Sequence, residues 1–516
     1  MSNPVINYFA EFKVLKSASK DFWLTNAIQF FDGLAYFSMI TVLSLYFTVN
    51  CGFNDVDSGA WVGIYTLYIT AFVFAVGSIC DVIGIKKSYF IGIGLLAVAR
   101  LGLGVMPTFA NHELHLGFGG LGNGWLAFDY VTGSRQLGVK GFVIIMALGT
   151  AFMAPVTMTS LRRFTSKKVR ATGFNVYYLL MNIGAIIAGA LVIDGFRTGF
   201  PGTAALLTRI GVPLPQGALD LLGKGFGDVT GNLAIFDFGF AMSLAALACV
   251  ALINEDNWAE PEERSSGANE SKRPLAIFME VWKESAFQKL LLFLVLTIGV
   301  RLVFTHQFLV MPKYYTRVLS SDFELGLANS INPFIIVVGL IVLIPVINRF
   351  ATVKLIIIGM AISAFSLVFM AVPLDWIMAL PFIRNVQQAY FFIIISQILV
   401  FALGELIFSP RFTEYIASVS PPDKVSSYMA LSALPTFISK PINGFVSGIL
   451  ISRYCYDGIR PKIETGNIDY NHSPEFMWMI YLGLAVMSPI AVIVMRNFIT
   501  SKTSPAAETP AEEPAA

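Results

Sequence analysis

Twelve apolar stretches of about 20 residues, each able to cross a hydrocarbon core as a helix rising 1.5 Å per residue, constrain this chain more than any other feature. They fall near 22–48, 60–82, 87–107, 141–162, 172–194, 233–253, 288–311, 326–347, 353–373, 388–410, 427–451 and 475–497. In lipid every backbone N–H and C=O must be satisfied within the protein, which selects helices. The expected fold is therefore an all-α membrane protein, with the bilayer as its largest partner. Composition agrees: 56% of residues are hydrophobic and 13% charged, where soluble domains carry about 25% charge. A net charge of +2 gives no footprint for nucleic acid. No metal-ligand cluster, nucleophile motif or phosphate loop is visible, and His112, His115, His306 and His472 are dispersed. Neither a cofactor nor enzymatic chemistry is expected.

Residues 254–287 form a charged linker containing Pro, Gly and Ser. It separates six apolar stretches from six and predicts two homologous halves, 22–253 and 288–498. A polar segment, 1–21, carries Lys13, Lys16 and Lys20 and contains no cleavable signal; the low-complexity tail 499–516 is expected to be disordered. With the N-terminus inside, 21 of the 35 Lys and Arg residues fall in cytoplasmic segments, 11 in the opposite loops and three within spans. Both termini are thus expected on the cytoplasmic side of a plasma (inner) membrane. The glycine-rich loops 108–140 and 195–232 are read as mobile. Cys51, Cys80, Cys249 and Cys455 are read as thiols, since a bridge between Cys51 and Cys455 would lock two halves that should move.

Residues 77–87 read G-S-I-C-D-V-I-G-I-K-K. Asp81 and the Lys86/Lys87 pair are expected on a short turn outside the hydrocarbon. The pattern, with Gly77, Asp81, Gly84, Lys86 and Lys87, resembles the loop between helices 2 and 3 of the major facilitator superfamily (MFS). The resemblance implies a conformational latch: the glycine permits close helix approach and the acid faces another helix N-terminus, favourable by roughly 0.3–1 kcal/mol when exposed. A plain polar connector with a positive-inside lysine pair remains open.

Four further stretches resemble the proton-dependent oligopeptide transporters within that superfamily. They are Tyr178 to Asn182 and Gly184 in helix 5, Asn332-Pro333 in helix 8, Gly404-Glu405-Leu406 with Ser409-Pro410 in helix 10, and Gly149 to Pro155 in helix 4. The resemblance implies a twelve-helix MFS fold in two six-helix halves, protons and a small-molecule substrate as partners, and peptide-like cargo. Departures qualify it. Helix 1 keeps one acid, Asp32, in Gln29-Phe30-Phe31-Asp32-Gly33; Ile40 stands where the family has an arginine, and Ala154 where helix 4 has a lysine. Ordinary di- and tripeptide transport is therefore in doubt.

The other ionisable residues in spans are Arg100, Arg301, His306, Glu405 and Lys440, each costing about 2.5–3.5 kcal/mol at mid-membrane unless paired or wetted. Arg100 is expected to snorkel to a membrane face. Glu405, Asp32 and His306 are candidates for proton coupling. Arg301 and Lys440 suit a carboxylate on a substrate, with Tyr36, Tyr178, Asn182, Asn332 and Gln397 as candidate cavity groups and Trp61, Tyr177 and Phe408 as further lining. Similar depth suggests two ion pairs, Asp32 with Arg301 across the halves and Glu405 with Lys440. The expectation is a proton-coupled symporter working as a monomer. A uniporter or exchanger, or a non-transporting receptor, stays open.

Overall fold

The computed structural model describes residues 15, 18–110, 132–209, 215–257, 259, 285–320, 323–342, 350–419 and 434–500. The first half holds α1 (Lys20–Val49), α2 (Asp55–Ile83), α3 (Ile85–Ala110), α4 (Thr132–Arg163), α5 (Lys167–Ile187) and α6 (Gly227–Ala251). The second holds α7 (Ser285–Leu296 and Ile298–Leu309, bent by 49° at Thr297), then α8 (Leu325–Val342), α9 (Thr352–Ala371), α10 (Val386–Val419), α11 (Leu434–Tyr454) and α12 (Pro474–Thr500). Ten of these are long and apolar enough to span a membrane, the bent α7 makes an eleventh, and α8 is a shorter apolar helix. Residues 420–433, which include the predicted start of the eleventh span, lie outside the described residues, as do most of the linker and the tail. No disulfide joins the four cysteines.

The end at which α1 passes into α2 is called distal here, and the end carrying the chain termini proximal. Three differences from the sequence expectation matter. First, the span expected over 172–194 is not one uninterrupted α-helix: after Ile187, α5 passes through a π-helical turn, Ala188–Ile193, into Asp194–Arg197. Second, the loop read as mobile contains two helices, Pro201–Arg209 and Gln216–Lys224. Gly199 and Gly225, both at positive φ, close this hairpin, and Phe226 N–H donates to Phe196 O at 2.8 Å. Third, the turn between α2 and α3 is a single residue, Gly84, at φ +87°. A side chain would strain there, so glycine is required.

The halves meet in the distal half through small residues, as helices do where packing must replace the hydrophobic effect. A Cβ on Gly59 would lie 2.6 Å from Gly444 O, and one on Gly444 would lie 2.4 Å from Gly63 Cα, so α2 and α11 touch backbone to backbone. Asp55 at the start of α2 then ties to the helix Met311–Val318 of the other half. It takes Lys313 Nζ at 2.9 Å and both Arg317 terminal nitrogens at 2.7 and 3.0 Å. Burial pulls the Lys313 ammonium down to about 8, against the pull of Asp55.

Candidate functional site: a cavity between the halves

Between the halves lies a cavity of about 340 Å³. From α5 it takes Tyr178 and Asn182, four apart and so on one face; Asn182 Nδ2 donates to the Tyr178 carbonyl at 2.9 Å. From α8 it takes Asn329, Asn332 and Pro333. Pro333 has no N–H to return to the carbonyl of Asn329, which loosens the ladder where the wall is polar. From α7 come Arg301, Phe304, Gln307 and Phe308, and from α10 Glu405 and Ser409. Despite Pro410, α10 continues to Val419.

The charged chemistry is all on the second half. The Arg301 guanidinium lies 5.2, 5.0 and 4.7 Å from the ring centroids of Phe304, Phe408 and Phe412, an aromatic cradle that helps hold a cation. Among the described residues its Nε has no hydrogen-bond partner, and no carboxylate ion-pairs with it. Glu405 lines the same cavity and accepts from Asn332 Nδ2 at 2.9 Å. The site therefore offers a cation and an anion, neither consumed by an ion pair, among amides and a phenol.

Neither ion pair suggested by depth is formed. Asp32 pairs with Arg100, not Arg301: the contact is 2.7 Å, and the other terminal nitrogen of Arg100 donates to Ser243 Oγ at 2.7 Å. Arg100 is 1% exposed, so it does not snorkel; it crosses to α6, where Gly239 leaves room, a Cβ there falling 3.2 Å from Arg100 Cδ. Matching depth was insufficient because it says nothing of azimuth, and α3 and α6 turn their polar side chains toward α1. Lys440 does not meet Glu405 either. Its Nζ donates across the halves to Tyr36 OH at 3.3 Å and lies over that ring.

His306 faces away from the cavity, against Trp478 and Tyr481 at centroid distances of 5.5 and 4.1 Å. Gln397 is fully buried behind Gln307, whose Nε2 donates to it at 3.4 Å. Trp61 holds Lys140 instead of lining the cavity, Phe408 sits beneath Arg301, and Tyr177 packs against the core. Asn329 and Gln307 were missed. Asn329 had a signal, since it lies three residues before Asn332 on the same face.

In the 77–87 stretch, Asp81 belongs to the last turn of α2 and Lys86 and Lys87 to the first turn of α3, not to a loop; the Asp81 side chain lies outside the described residues. No described atom would come within 4 Å of a Cβ on Gly77. Among the described side chains, Glu255 faces the start of α3, accepting from Ile85 N at 2.6 Å and Lys86 N at 3.3 Å. Lys86 Nζ donates to the Ala251 and Ile253 carbonyls at the end of α6, both at 2.9 Å. Glu255→Gln is expected to lower stability by about 0.3–1 kcal/mol, the value of an anion at a helix start, read as a small drop in detergent melting temperature. An unchanged melting point would assign the cap no weight.

The sequence matches the family model of the Major Facilitator Superfamily over residues 25–439. No curated relative matches it. Solved structures that share the fold include three of different description. A POT family transporter in complex with 5-aminolevulinic acid is similar at a TM-score of 0.62, with 14% identity over 93% of this chain and 96% of that one. A D-xylose-proton symporter gives 0.60, with 14% identity over 93% and 98%. A bacterial homologue of the human drug peptide transporters PepT1 and PepT2 gives 0.57, with 13% identity over 93% and 99%.

Proposed function

Because the chain belongs to the major facilitator superfamily, we propose that it is a secondary transporter carrying a small, carboxylate-bearing or peptide-like solute across a membrane by alternating access, in symport with protons. The observation that carries this reading is the Arg301 guanidinium, held on three aromatic rings in a cavity walled by both halves, with no carboxylate among the described residues within ion-pair distance of it. A buried cation left so suits a ligand's carboxylate. The same chain supplies both walls, so a monomer suffices for the binding step.

The lysine and arginine distribution supports a plasma-membrane protein with cytoplasmic termini, which makes the distal end the outer one. In that orientation the seal through Gly59, Gly444 and Asp55 belongs to a state closed to the outside. Glu405 is the acid that the cavity offers for proton coupling. The engagement of Asp32 by Arg100 favours one narrower alternative, an exchanger in which Asp32 is structural.

Purified protein screened by thermal shift over peptides, amino acids, nucleosides and organic acids should yield a ligand bearing a carboxylate. Arg301→Ala is then expected to weaken that ligand by about 10- to 100-fold, because a charge-assisted hydrogen bond contributes about 1.5–3 kcal/mol. A hit of unchanged affinity in the variant would remove Arg301 from recognition. Binding without uptake into proteoliposomes would make the protein a receptor.

A further inference from the structure

We propose that Asp194 is a proton-controlled clasp on the distal seal, releasing the two halves from each other there when its carboxylate is protonated. The inference rests on the alternating-access reading and concerns a residue outside the cavity. Asp194 is 2% exposed. It follows the π turn Ala188–Ile193, a feature frequent at functional positions because its wider turn re-aims what comes after it. Its two oxygens accept from Gly326 N at 2.8 Å and Leu327 N at 2.6 Å, at the start of α8 in the opposite half. First-turn N–H groups have no partner in their own helix, and the helix dipole favours an anion there. So close an approach requires two glycines. A Cβ on Gly189 would lie 2.4 Å from Gly326 O, and one on Gly326 would lie 2.3 Å from Gly189 O. On the same seam Ser330 Oγ donates to Ile186 O at 3.0 Å.

The chemistry of the clasp depends on charge. A carboxylate accepts on both oxygens, so it satisfies both N–H groups. A carboxylic acid has an O–H on one oxygen, which would meet an N–H donor to donor, and one of the two bonds is lost. Among the described residues, the charged groups facing Asp194 are Arg197 from its own turn and Glu324 just before α8. Arg197 is engaged by Asp228 at the start of α6. From α1, residues 33–49 contribute no charged side chain. The seal is therefore held by an anion on backbone donors, strongest where Asp194 is ionised and weakening as the pH falls through its protonation. Acid on the distal side would favour opening to that side and place a proton on the protein before solute enters.

The test reads the seal directly. Spin labels are attached through Val49→Cys and Asn467→Cys, both exposed at the distal end of opposite halves, with the native cysteines replaced. Wild-type distances should lengthen as pH is lowered. Asp194→Asn, whose amide turns an N–H₂ toward one backbone donor at every pH, should give long distances throughout and no pH response. Ser330→Ala removes a seam bond without touching a titrating group, so it should keep the wild-type pH response. A wild-type protein indifferent to pH, or an Asp194→Asn variant that responds as wild type does, would overturn the clasp. Should that variant not fold, Asp194→Glu decides: a shifted midpoint supports the proposal and an unchanged one refutes it. The distances need neither substrate nor transport, so a failed clasp leaves the transport reading standing, and failed uptake leaves the clasp measurable.

Discussion

Glu405→Gln is expected to abolish solute accumulation driven by a pH difference across proteoliposomes while leaving counterflow exchange in place. Glutamine keeps the shape of the side chain and its carbonyl still accepts from Asn332 Nδ2, so the fold and the cavity wall should persist. What it loses is the ability to carry a proton. One pH unit is worth about 1.4 kcal/mol, or tenfold accumulation for each proton coupled, and the variant should instead stop at equal concentrations. Exchange needs no net proton movement, so it survives. Lys440 is occupied with Tyr36, not Glu405, so among the described residues the carboxylate is in no ion pair, and it lines the cavity. A Glu405→Gln protein that still concentrates solute under a pH difference alone would remove Glu405 from the proton path. The acid of the distal clasp, Asp194, would then be the next to examine, ahead of His306 in its aromatic nest.

The spans were legible because lipid admits few ways to satisfy a backbone, and long apolar runs announce themselves. The cavity was partly legible. Arg301, Glu405, Asn182, Asn332 and Tyr178 were singled out as polar groups in apolar helices, and the structure brings all five to one place. Partners were not legible. Depth along a helix follows from counting residues, but which face meets which neighbour depends on helix rotation, and that is set by small residues far away in sequence, such as Gly239 making room for Arg100. The same limit hid Glu255, a linker acid that lies at the start of α3. Asp194 was hidden for another reason. In the sequence it closes an apolar span, and nothing in its neighbourhood signals that α8 of the other half begins against it.

Removing one member of the Asp32–Arg100 pair is expected to have the largest effect on stability. The arginine is 1% exposed and the acid side chain 13%, and a 2.7 Å contact joins them inside the first half. Arg100→Ala leaves a buried carboxylate with no counter-charge, and breaking such a pair from one side costs about 3–5 kcal/mol. The same variant strands Ser243 Oγ, which keeps only its bond to the Gly239 carbonyl. A double variant, Asp32→Leu with Arg100→Leu, removes both charges and restores apolar contact. It should recover most of the lost melting temperature, because the desolvation of two ions disappears along with their attraction. The comparison also separates two roles for Asp32. If the acid is structural, the double variant keeps pH-driven accumulation in proteoliposomes. If instead Asp32→Asn folds with wild-type stability and loses accumulation while keeping counterflow, then Asp32 exchanges its proton during the cycle, and Arg100 is the partner it leaves and rejoins.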